Sequence, residues 1–498
     1  MVEFLITAEE AYPAFERTVL NAQSEVLIAM RIFDPDTRLV GDEARRIGDT
    51  WADIIAHKLD QGVSFDIALA DFDPVARPAL HRYAWECLDG LHAAGSAHPG
   101  RLTARAHLHP ARVGWIHRLA LHKVSLGKLR AECDRLNALP RQQRAAELAR
   151  MPAFRALVRD GRGGLAPRLW PPAPLVPCSH HQKMAVIDRR WLYLGGLDLN
   201  DRRYDTQEHD QPADQTWHDV QMLIEGAPAL AAHTHIRHFL RWTEGQPPAP
   251  TPGLLRTLSA RQERSLAGIA PREVLNEIET ETLALIAGAQ RFLYIETQFL
   301  RSSAISQALA RAGRDRPGLQ LIVVLPAAPD DVAFEGSEEL DARYGEQLQA
   351  EAFDTLREAF GDRFFAAAPA EPRACADTDR STLHGAPIIY IHAKVTLADG
   401  DRAIVSSANL NGRSLRWDTE TGMALHGADA ARLFARCLDH WFRGAPPQDM
   451  TQAAHWRQAA LANRALPPAH RGHFILPYDP NPGKEIGTNL PGVPEELV

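Results

Sequence analysis

The sequence predicts an α/β fold built from two similar halves. Apolar segments of five to eight residues, bounded by turn residues, alternate with longer helical stretches, a pattern typical of α/β proteins. The same order of segments occurs twice, and one His-x-Lys spacing occurs once in each copy. A chain of 498 residues is long enough to hold both copies. We therefore expect two mixed-sheet halves related by a pseudo-two-fold axis.

The predicted elements divide the chain into two halves, a linker and a tail. The first half spans residues 1–243, with strands at 25–33, 65–72, 102–108, 183–188, 191–196 and 219–226. A Pro- and Gly-rich linker follows at 244–253. The second half spans 254–465, with a helix at 272–289 and strands at 291–299, 319–326, 363–369, 387–399, 402–409 and 419–426. Residues 466–498 are expected to form an extended C-terminal tail.

The first half carries a basic insertion, expected to be helical, at about 110–177. Residues 101–178 hold 15 basic and 4 acidic side chains, whereas the whole chain has a formal charge of −8. The segment 115–130 mixes apolar side chains with Arg118, Lys123 and Lys128. A basic amphipathic helix is typical of a membrane-surface element, but a solvated helical hairpin that covers the site fits the pattern equally well.

Composition narrows the class of protein. The five cysteines are scattered and form no CxxC pair, which argues against a structural zinc site and against a disulfide framework. The acidic N-terminal segment lacks the features of a signal peptide, and no apolar run is long enough to span a bilayer. We expect a cytoplasmic, monomeric enzyme that at most binds a membrane peripherally. Nucleic acid is a less favoured partner, because the chain is acidic overall and shows no aromatic stacking platform.

Two motifs with the same spacing carry the chemistry. His181 and Lys183 are followed by Asp188, and His392 and Lys394 by Asp399. In a strand, residues i and i+2 point to one face, so each His/Lys pair can reach one pocket. Two copies at a two-fold axis would place two imidazoles and two ammonium groups around one centre, an arrangement that suits a phosphoryl group. One histidine can attack phosphorus while the other protonates the leaving oxygen. The lysines supply the charge, and no ligand spacing indicates a metal.

The motifs and their surroundings resemble the phospholipase D superfamily, most closely the eukaryote-type enzymes. The segments that carry the resemblance are 180–205, 217–226, 239–242, 294–300 and 390–420. The resemblance implies a duplicated α/β fold, a phosphohistidine intermediate, and core chemistry without a metal or cofactor.

The resemblance assigns a role to each residue that stands at a matched position of the family motifs. The resemblance implies that His181 is the nucleophile and His392 the acid and base. It implies phosphate contacts for Lys183, Lys394 and Asn409, and it puts Asp198 where many members have another Asn. Asp219 and Glu420 match the carboxylates that orient the imidazoles, while Asp188 and Asp399 are expected to support the motif strands.

Three departures accompany the resemblance. Ser406 stands where the family usually has Gly. The sequence begins almost at the motif-bearing region, so we expect neither the calcium- or phosphoinositide-binding modules of plant and animal relatives nor the transmembrane segment of typical bacterial cardiolipin synthases.

The favoured function is hydrolysis of glycerophospholipids to phosphatidic acid, with transfer of the phosphatidyl group to alcohols. The alternative is a phosphatidyltransferase related to cardiolipin synthase. A nuclease with the same site and a non-catalytic lipid-binding relative are less favoured.

Overall fold

Two large mixed sheets form the framework of the molecule. The computed structural model describes residues 1–262, 266–337, 339–376 and 378–498. Strands in the first part of the chain are β1 (Val2–Ile6), β2 (Glu25–Met30), β3 (Ser64–Ala70), β4 (Leu102–His107), β5 (Val158–Gly161), β6 (Gly164–Pro167), β7 (Lys183–Ile187), β8 (Trp191–Gly195) and β9 (Val220–Glu225). Seven of them form one sheet in the order β1-β9-β8-β7-β2-β3-β4, and β5 and β6 form a separate hairpin.

The second sheet takes its strands from the rest of the chain. These strands are β10 (Leu255–Ala260), β11 (Arg272–Asn276), β12 (Phe292–Thr297), β13 (Gln320–Val324), β14 (Phe364–Pro369), β15 (Thr382–Leu383), β16 (Ala386–Pro387), β17 (Lys394–Ala398), β18 (Arg402–Ser406), β19 (Glu420–His426) and β20 (Ile475–Pro477). Nine of them pair in the order β11-β10-β19-β18-β17-β12-β13-β14-β20, and β15 and β16 pair only with each other.

The two sheets share one topology. In the first, β2, β3 and β4 are parallel, and β7, β8 and β9 continue the sheet antiparallel from β2. In the second, β12, β13 and β14 are parallel, and β17, β18 and β19 continue antiparallel from β12. Six strands therefore repeat in order and direction. The duplicated α/β fold predicted from the sequence is confirmed.

Helices cover the sheets and complete three hydrophobic layers. They are α1 (Thr7–Leu20), α2 (Trp51–Asp60), α3 (Pro78–Ala94), α4 (Trp115–Ala120), α5 (His122–Asn137), α6 (Arg141–Ala149), α7 (Pro152–Arg155), α8 (Ala227–Thr243), α9 (Glu277–Gly288), α10 (Ser303–Asp315), α11 (Asp330–Phe334), α12 (Leu340–Phe360), α13 (Gly412–Arg416), α14 (Ala428–Trp441), α15 (Ala453–Arg464) and α16 (Asn481–Ile486). A central core joins residues of both sheets with α8, α14 and α15. Separate outer cores lie under α1–α3 in the first half and under α9, α10 and α12 in the second.

Edge strands and helix starts are where the sequence prediction is wrong. The helix expected at 272–289 begins at Glu277, because residues 272–276 form the edge strand β11 against β10. The strand β1, which pairs with β9, was also not predicted.

The insertion is helical over α4–α7, with its own small core, but it also contains the hairpin β5–β6. In the C-terminal segment, β20 extends the second sheet beside β14. Among the described residues, no helix combines the length and hydrophobicity needed to cross a bilayer.

Two equivalent aspartates fasten the far ends of the motif strands. Asp188 accepts the backbone N–H groups of residues 23–25 at 2.7–3.1 Å. Asp399 does the same for residues 290–292 at 2.7–3.1 Å. Both have a positive φ, 52° and 55°, a conformation in which a short polar side chain can bond to nearby backbone. Burial alone would raise the pKa of Asp399, but these hydrogen bonds hold it below its usual value. Both carboxylates therefore brace the chain entry into the strand that pairs with the motif strand.

We predict that Asp399→Ala lowers the free energy of unfolding by about 2 kcal/mol or more, because several charge-assisted hydrogen bonds to partly buried backbone are lost. The measurement is the urea midpoint of the full chain. The matched control is Asp401→Ala. The Asp401 side chain is exposed, and its one ion pair, with Arg402 at 3.6 Å, is of the exposed kind that contributes little to stability. Equal losses in the two variants would contradict the bracing role.

Candidate active site

Two histidines, each paired with a carboxylate from the other half, form the centre of the site. Nδ1 of His181 lies 2.8 Å from Oε1 of Glu420, and Nδ1 of His392 lies 2.6 Å from Oδ2 of Asp219. Both rings are nearly buried, at 7% and 4% exposure, and both carboxylates are fully enclosed. Because each Nδ1 faces a carboxylate, each Nε2 is left for a reacting group.

The backbone enforces this exchange of carboxylates. The N–H of His181 donates to the carbonyl of Thr419 at 2.8 Å, and the N–H of His392 donates to the carbonyl of His218 at 2.8 Å. Thr419 and His218 each precede the carboxylate that faces the histidine. The same cross-connection therefore occurs twice with the halves interchanged, as a pseudo-two-fold axis requires.

The motif lysines lie on the same side of their strands as the histidines. Nζ of Lys183 lies 3.2 and 3.3 Å from the two ring nitrogens of His181 and donates to the His181 carbonyl at 2.6 Å. Lys394 donates to the carbonyl of His392 in the same way. Burial lowers the pKa of Lys183, and it lowers that of Lys394 to about 7 against the opposing charge of Asp219.

Burial also controls the charge of the histidine–carboxylate pairs. Burial, and after it the charge of the neighbouring lysine, holds the pKa of both histidines well below the usual range. Burial raises the pKa of Asp219 to about 6 and of Glu420 to about 8, with Lys394 and Lys183 respectively opposing the shift. Burial therefore disfavours the charged imidazole, and a neutral imidazole can keep a lone pair on Nε2.

The reaction centre is also surrounded by arginines, which the sequence prediction did not include among the site residues. The charges of Arg31, Arg203 and Arg413 are among those that lower the histidine pKa values. The guanidinium of Arg203 stacks on Trp217 at 3.5 Å, and Trp217 packs against His392 with ring centroids 4.6 Å apart. Arg31 directly follows β2, and the last residue of β2 pairs with Lys183 of β7. This position beside a motif strand could have identified Arg31 as a site residue from the sequence.

Asp198 and Asn409 occupy different surroundings. Oδ2 of Asp198 lies 3.9 Å from both Lys183 and Arg31, and Oδ1 accepts the N–H of Ile32 at 3.0 Å. An ionised carboxylate can only accept hydrogen bonds, so Asp198 faces cations rather than offering a donor to phosphate. Asn409 is buried, and its Oδ1 has no hydrogen-bond partner in the described part of the chain.

The pairs Gly195–Gly196 and Ser406–Ser407 occupy equivalent positions in the two halves, and each pair faces residues of complementary size. Gly195 lies opposite Gln221, and Ser406 lies opposite Gly422. A Cβ at Gly422 would lie 2.6 Å from Cβ of Ser406, so the serine needs the glycine across from it. A Cβ at Gly196 would overlap the Asp219 carboxylate, whereas the Ser407 hydroxyl donates to Glu420 at 2.5 Å.

The three cations predicted as a membrane patch are not equivalent. Arg118 donates to the carbonyls of Pro172 and Ala173. Lys128 pairs with Glu339 at 3.1 Å, which ties the insertion to the second half. Lys123 is exposed. Exposed apolar side chains accompany them: Ile116, Leu119, Leu121, Val124 and Trp170.

Comparison with known proteins gives consistent matches. A family model described as cardiolipin synthase, phospholipase D-like domain, matches residues 282–441. Phospholipase D1 of Schizosaccharomyces pombe is 25% identical over 349 residues, covering 49% of this chain and 24% of that protein. Phospholipase D alpha 1 of Oryza sativa is 25% identical over 386 residues, covering 53% of this chain and 48% of that protein.

These relatives are only partly covered: the match spans about a quarter of the yeast protein and about half of the rice protein. A solved structure of phosphatidylserine synthase from Haemophilus influenzae aligns with a TM-score of 0.44 and 13% identity, covering 88% of this chain and 85% of the other. The family model and the curated relatives support the phospholipase D superfamily, the family that the motif segments resemble.

Proposed function

We propose that the protein is a phospholipase D-type enzyme that cleaves the headgroup-side phosphodiester of a glycerophospholipid. The observation that carries the proposal is the pair of histidines, each with Nδ1 within 2.6–2.8 Å of a carboxylate from the other half. One such group can attack phosphorus while the other exchanges a proton with an oxygen, and both tasks are needed for a two-step displacement.

In the first step, Nε2 of His181 attacks phosphorus. The N–P bond forms and the bond from phosphorus to the headgroup oxygen breaks. His392, which holds a proton on Nε2 in this step while Asp219 accepts from its Nδ1, gives that proton to the headgroup oxygen. Glu420 stabilises the positive charge that develops on His181. In the second step, neutral His392 takes a proton from water, the water oxygen bonds to phosphorus, and the N–P bond breaks. Phosphatidic acid leaves, and both histidines return to their starting states.

Lys183, Lys394 and Asn409 are proposed to hold the phosphoryl oxygens. The ammonium groups offset the charge that gathers on these oxygens as bonds change. Asp198 is proposed to position Lys183 and Arg31 rather than to bind phosphate, because its carboxylate lies 3.9 Å from each of them. No metal is required for these steps.

A phosphatidyltransferase is the second candidate, favoured by the match of residues 282–441 to a cardiolipin synthase model. The first step is the same in both. The candidates differ in whether water or a lipid hydroxyl receives the phosphatidyl group from His181.

We predict that phosphatidylcholine is converted to phosphatidic acid, and that a few per cent of ethanol diverts product to phosphatidylethanol at little cost in total turnover. The reason is that a phosphohistidine persists after the first alcohol leaves, so any hydroxyl near His392 can accept the phosphoryl group. Thin-layer chromatography of the products is the measurement, with phosphatidylglycerol as the parallel substrate for lipid-to-lipid transfer.

Controls separate the chemistry from the fold. His181→Asn and His392→Asn should each lower turnover at least about a thousandfold, while His81→Asn, at a buried histidine outside the site, should not. Acid quenching of wild-type turnover on substrate labelled at phosphorus should leave label on His181. Inversion at phosphorus with a chiral phosphorothioate would contradict the two-step mechanism, and release of nucleotides from single-stranded DNA with no lipid product would favour a nuclease.

We predict that kcat/KM on a soluble phosphodiester falls as the pH rises through about 7. A lysine is charged below its pKa, and burial lowers that of Lys394 to about 7, so the cation is lost above this pH. Lys394→Arg should move this fall upward by more than one pH unit, since a guanidinium keeps its charge. Lys484→Arg, at an exposed pair with Asp354, is the control. A fall that stays at the same pH in Lys394→Arg would show that another group is responsible.

We further propose that the insertion docks the enzyme on a phospholipid surface, from the cytoplasmic side and as a monomer. Ile116 and Val124 are 55% and 58% exposed, and Trp170 is 64% exposed beside Trp115. The base of the insertion reaches the nucleophile segment, where the rings of His109 and His180 are 5.1 Å apart. A bilayer on this face would therefore bring lipid headgroups next to His181. Apolar side chains, rather than Arg118 and Lys128, are the groups free to insert.

We predict that Ile116→Ser, Leu119→Ser and Val124→Ser together weaken binding to anionic vesicles at least about tenfold, because each buried apolar side chain contributes roughly 1.5–3 kcal/mol. Hydrolysis of a soluble phosphodiester should be unchanged. Vesicle sedimentation is the measurement, and Leu230→Ser with Leu461→Ser, both exposed elsewhere, is the control. Loss of soluble activity in the triple variant would instead place the insertion in the catalytic wall.

A further inference from the structure

Three buried histidines outside the reaction centre lie against one another. His209 and His218 come from the segment before β9, and His440 comes from α14. One ring nitrogen from each lies within 4.8 Å of the others, and Nε2 of His209 is 2.9 Å from Nε2 of His440. We propose that these three imidazoles form a site for a divalent first-row metal ion, with zinc as the expected occupant.

The outward-facing nitrogen of each ring has an oxygen partner. Nδ1 of His209 lies 2.6 Å from Oδ2 of Asp205, and Nε2 of His218 lies 3.0 Å from Oε2 of Glu296. Nδ1 of His440 lies 3.1 Å from Oε1 of Gln207. A second ring nitrogen bonded to a carboxylate or carbonyl oxygen is the usual support of a metal-bound histidine.

The partners fix where the ring protons lie. Asp205 also accepts the N–H of Trp217 at 2.6 Å, and Glu296 also accepts from the indole N–H of Trp441 at 2.8 Å, so both carboxylates act as acceptors at this site. The amide nitrogen of Gln207 donates to the carbonyl of Ile6 and to Thr7, so its oxygen must face His440. All three outward nitrogens therefore carry hydrogens, and all three inward nitrogens carry bare lone pairs.

Converging lone pairs need a cation between them. Nδ1 of His218 is buried and has no hydrogen-bond partner in the described part of the chain. Two bare nitrogens at 2.9 Å, as in His209 and His440, repel each other. An added proton would satisfy that pair alone, leave His218 unpaired, and bury an extra charge. A metal ion satisfies all three rings at once.

The donor set selects the kind of metal. Imidazole nitrogens suit zinc and its neighbours in the first row, while magnesium and calcium prefer oxygen ligands. Zinc–nitrogen bonds of about 2.0–2.1 Å in a tetrahedral site put the nitrogens about 3.3 Å apart, so small movements of the rings complete the geometry. Three protein ligands leave the fourth position to water.

The site would act on structure rather than on the reacting phosphate. It joins the 205–218 segment of the first half to α14 of the second. His218 is adjacent to Asp219, and its carbonyl accepts the N–H of His392. The metal would therefore hold the segment that positions the carboxylate beside His392.

The test uses the full chain freed of metal by dialysis against a chelator and then titrated with zinc alone in competition with a chromophoric chelator. We expect one zinc per chain, bound with a Kd of about 1 µM or below, and an increase in Tm when zinc is restored. His209→Gln and His440→Gln should weaken binding at least about tenfold. His81→Gln, which alters a buried histidine paired with Asp71 outside the cluster, should not.

The wild-type titration decides the proposal even if a cluster variant fails to fold. A folded, metal-free wild-type chain that takes up no zinc at about 100 µM, well above the Kd of a structural zinc site, would overturn the proposal. Folded cluster variants that bind zinc as the wild type does would also overturn it. A wild-type chain that loses structure with the chelator and recovers it with zinc would support it.

Discussion

The exchange of carboxylates between the halves is the interaction on which the rest of the structure depends. Neither half supplies the carboxylate for its own motif histidine, since His181 needs Glu420 and His392 needs Asp219. The halves must therefore stay in fixed register, within a fraction of the 2.6–2.8 Å contact distance. The central core shared by both sheets and the paired backbone hydrogen bonds from His181 and His392 supply that register. Rigid packing is thus a condition of the chemistry, because a well-packed core deforms little.

The duplicated halves differ where their roles must differ. The histidines and lysines are equivalent, but the carboxylates are not: Gly196 leaves room for the shorter Asp219, while Ser407 donates to the longer Glu420. Burial raises the pKa of Glu420 to about 8 but that of Asp219 only to about 6, so the two equivalent carboxylates differ in acidity. The asymmetry is therefore set by residues around the repeated motif rather than by the motif.

Much of the framework could be predicted from the sequence, because apolar periodicity marks buried strands and helices. Strands β7 and β17 and helices α8 and α10 follow from that signal, and so does the shared face of each His/Lys pair. The edge strand β11 could not be predicted, since its side chains are largely exposed and lack the pattern. The pairing of each carboxylate with its histidine depends on the tertiary structure, so only the family resemblance could predict it. Arg203 and the three-histidine cluster were missed because residues far apart in the chain meet only after folding.

His218 connects the reaction centre with the three-histidine cluster. Its carbonyl accepts the N–H of His392 in the reaction centre. Its ring packs at a tilt against Trp441 of α14, with ring centroids 4.1 Å apart, and faces His209 and His440. Its neighbours are fixed as well, because Asp205 accepts the N–H of Trp217 and Arg203 covers the Trp217 ring. A displacement of α14 would therefore reach Asp219 through one residue. The second half thus positions His392 twice, by carrying it and by anchoring the first-half segment that orients its ring.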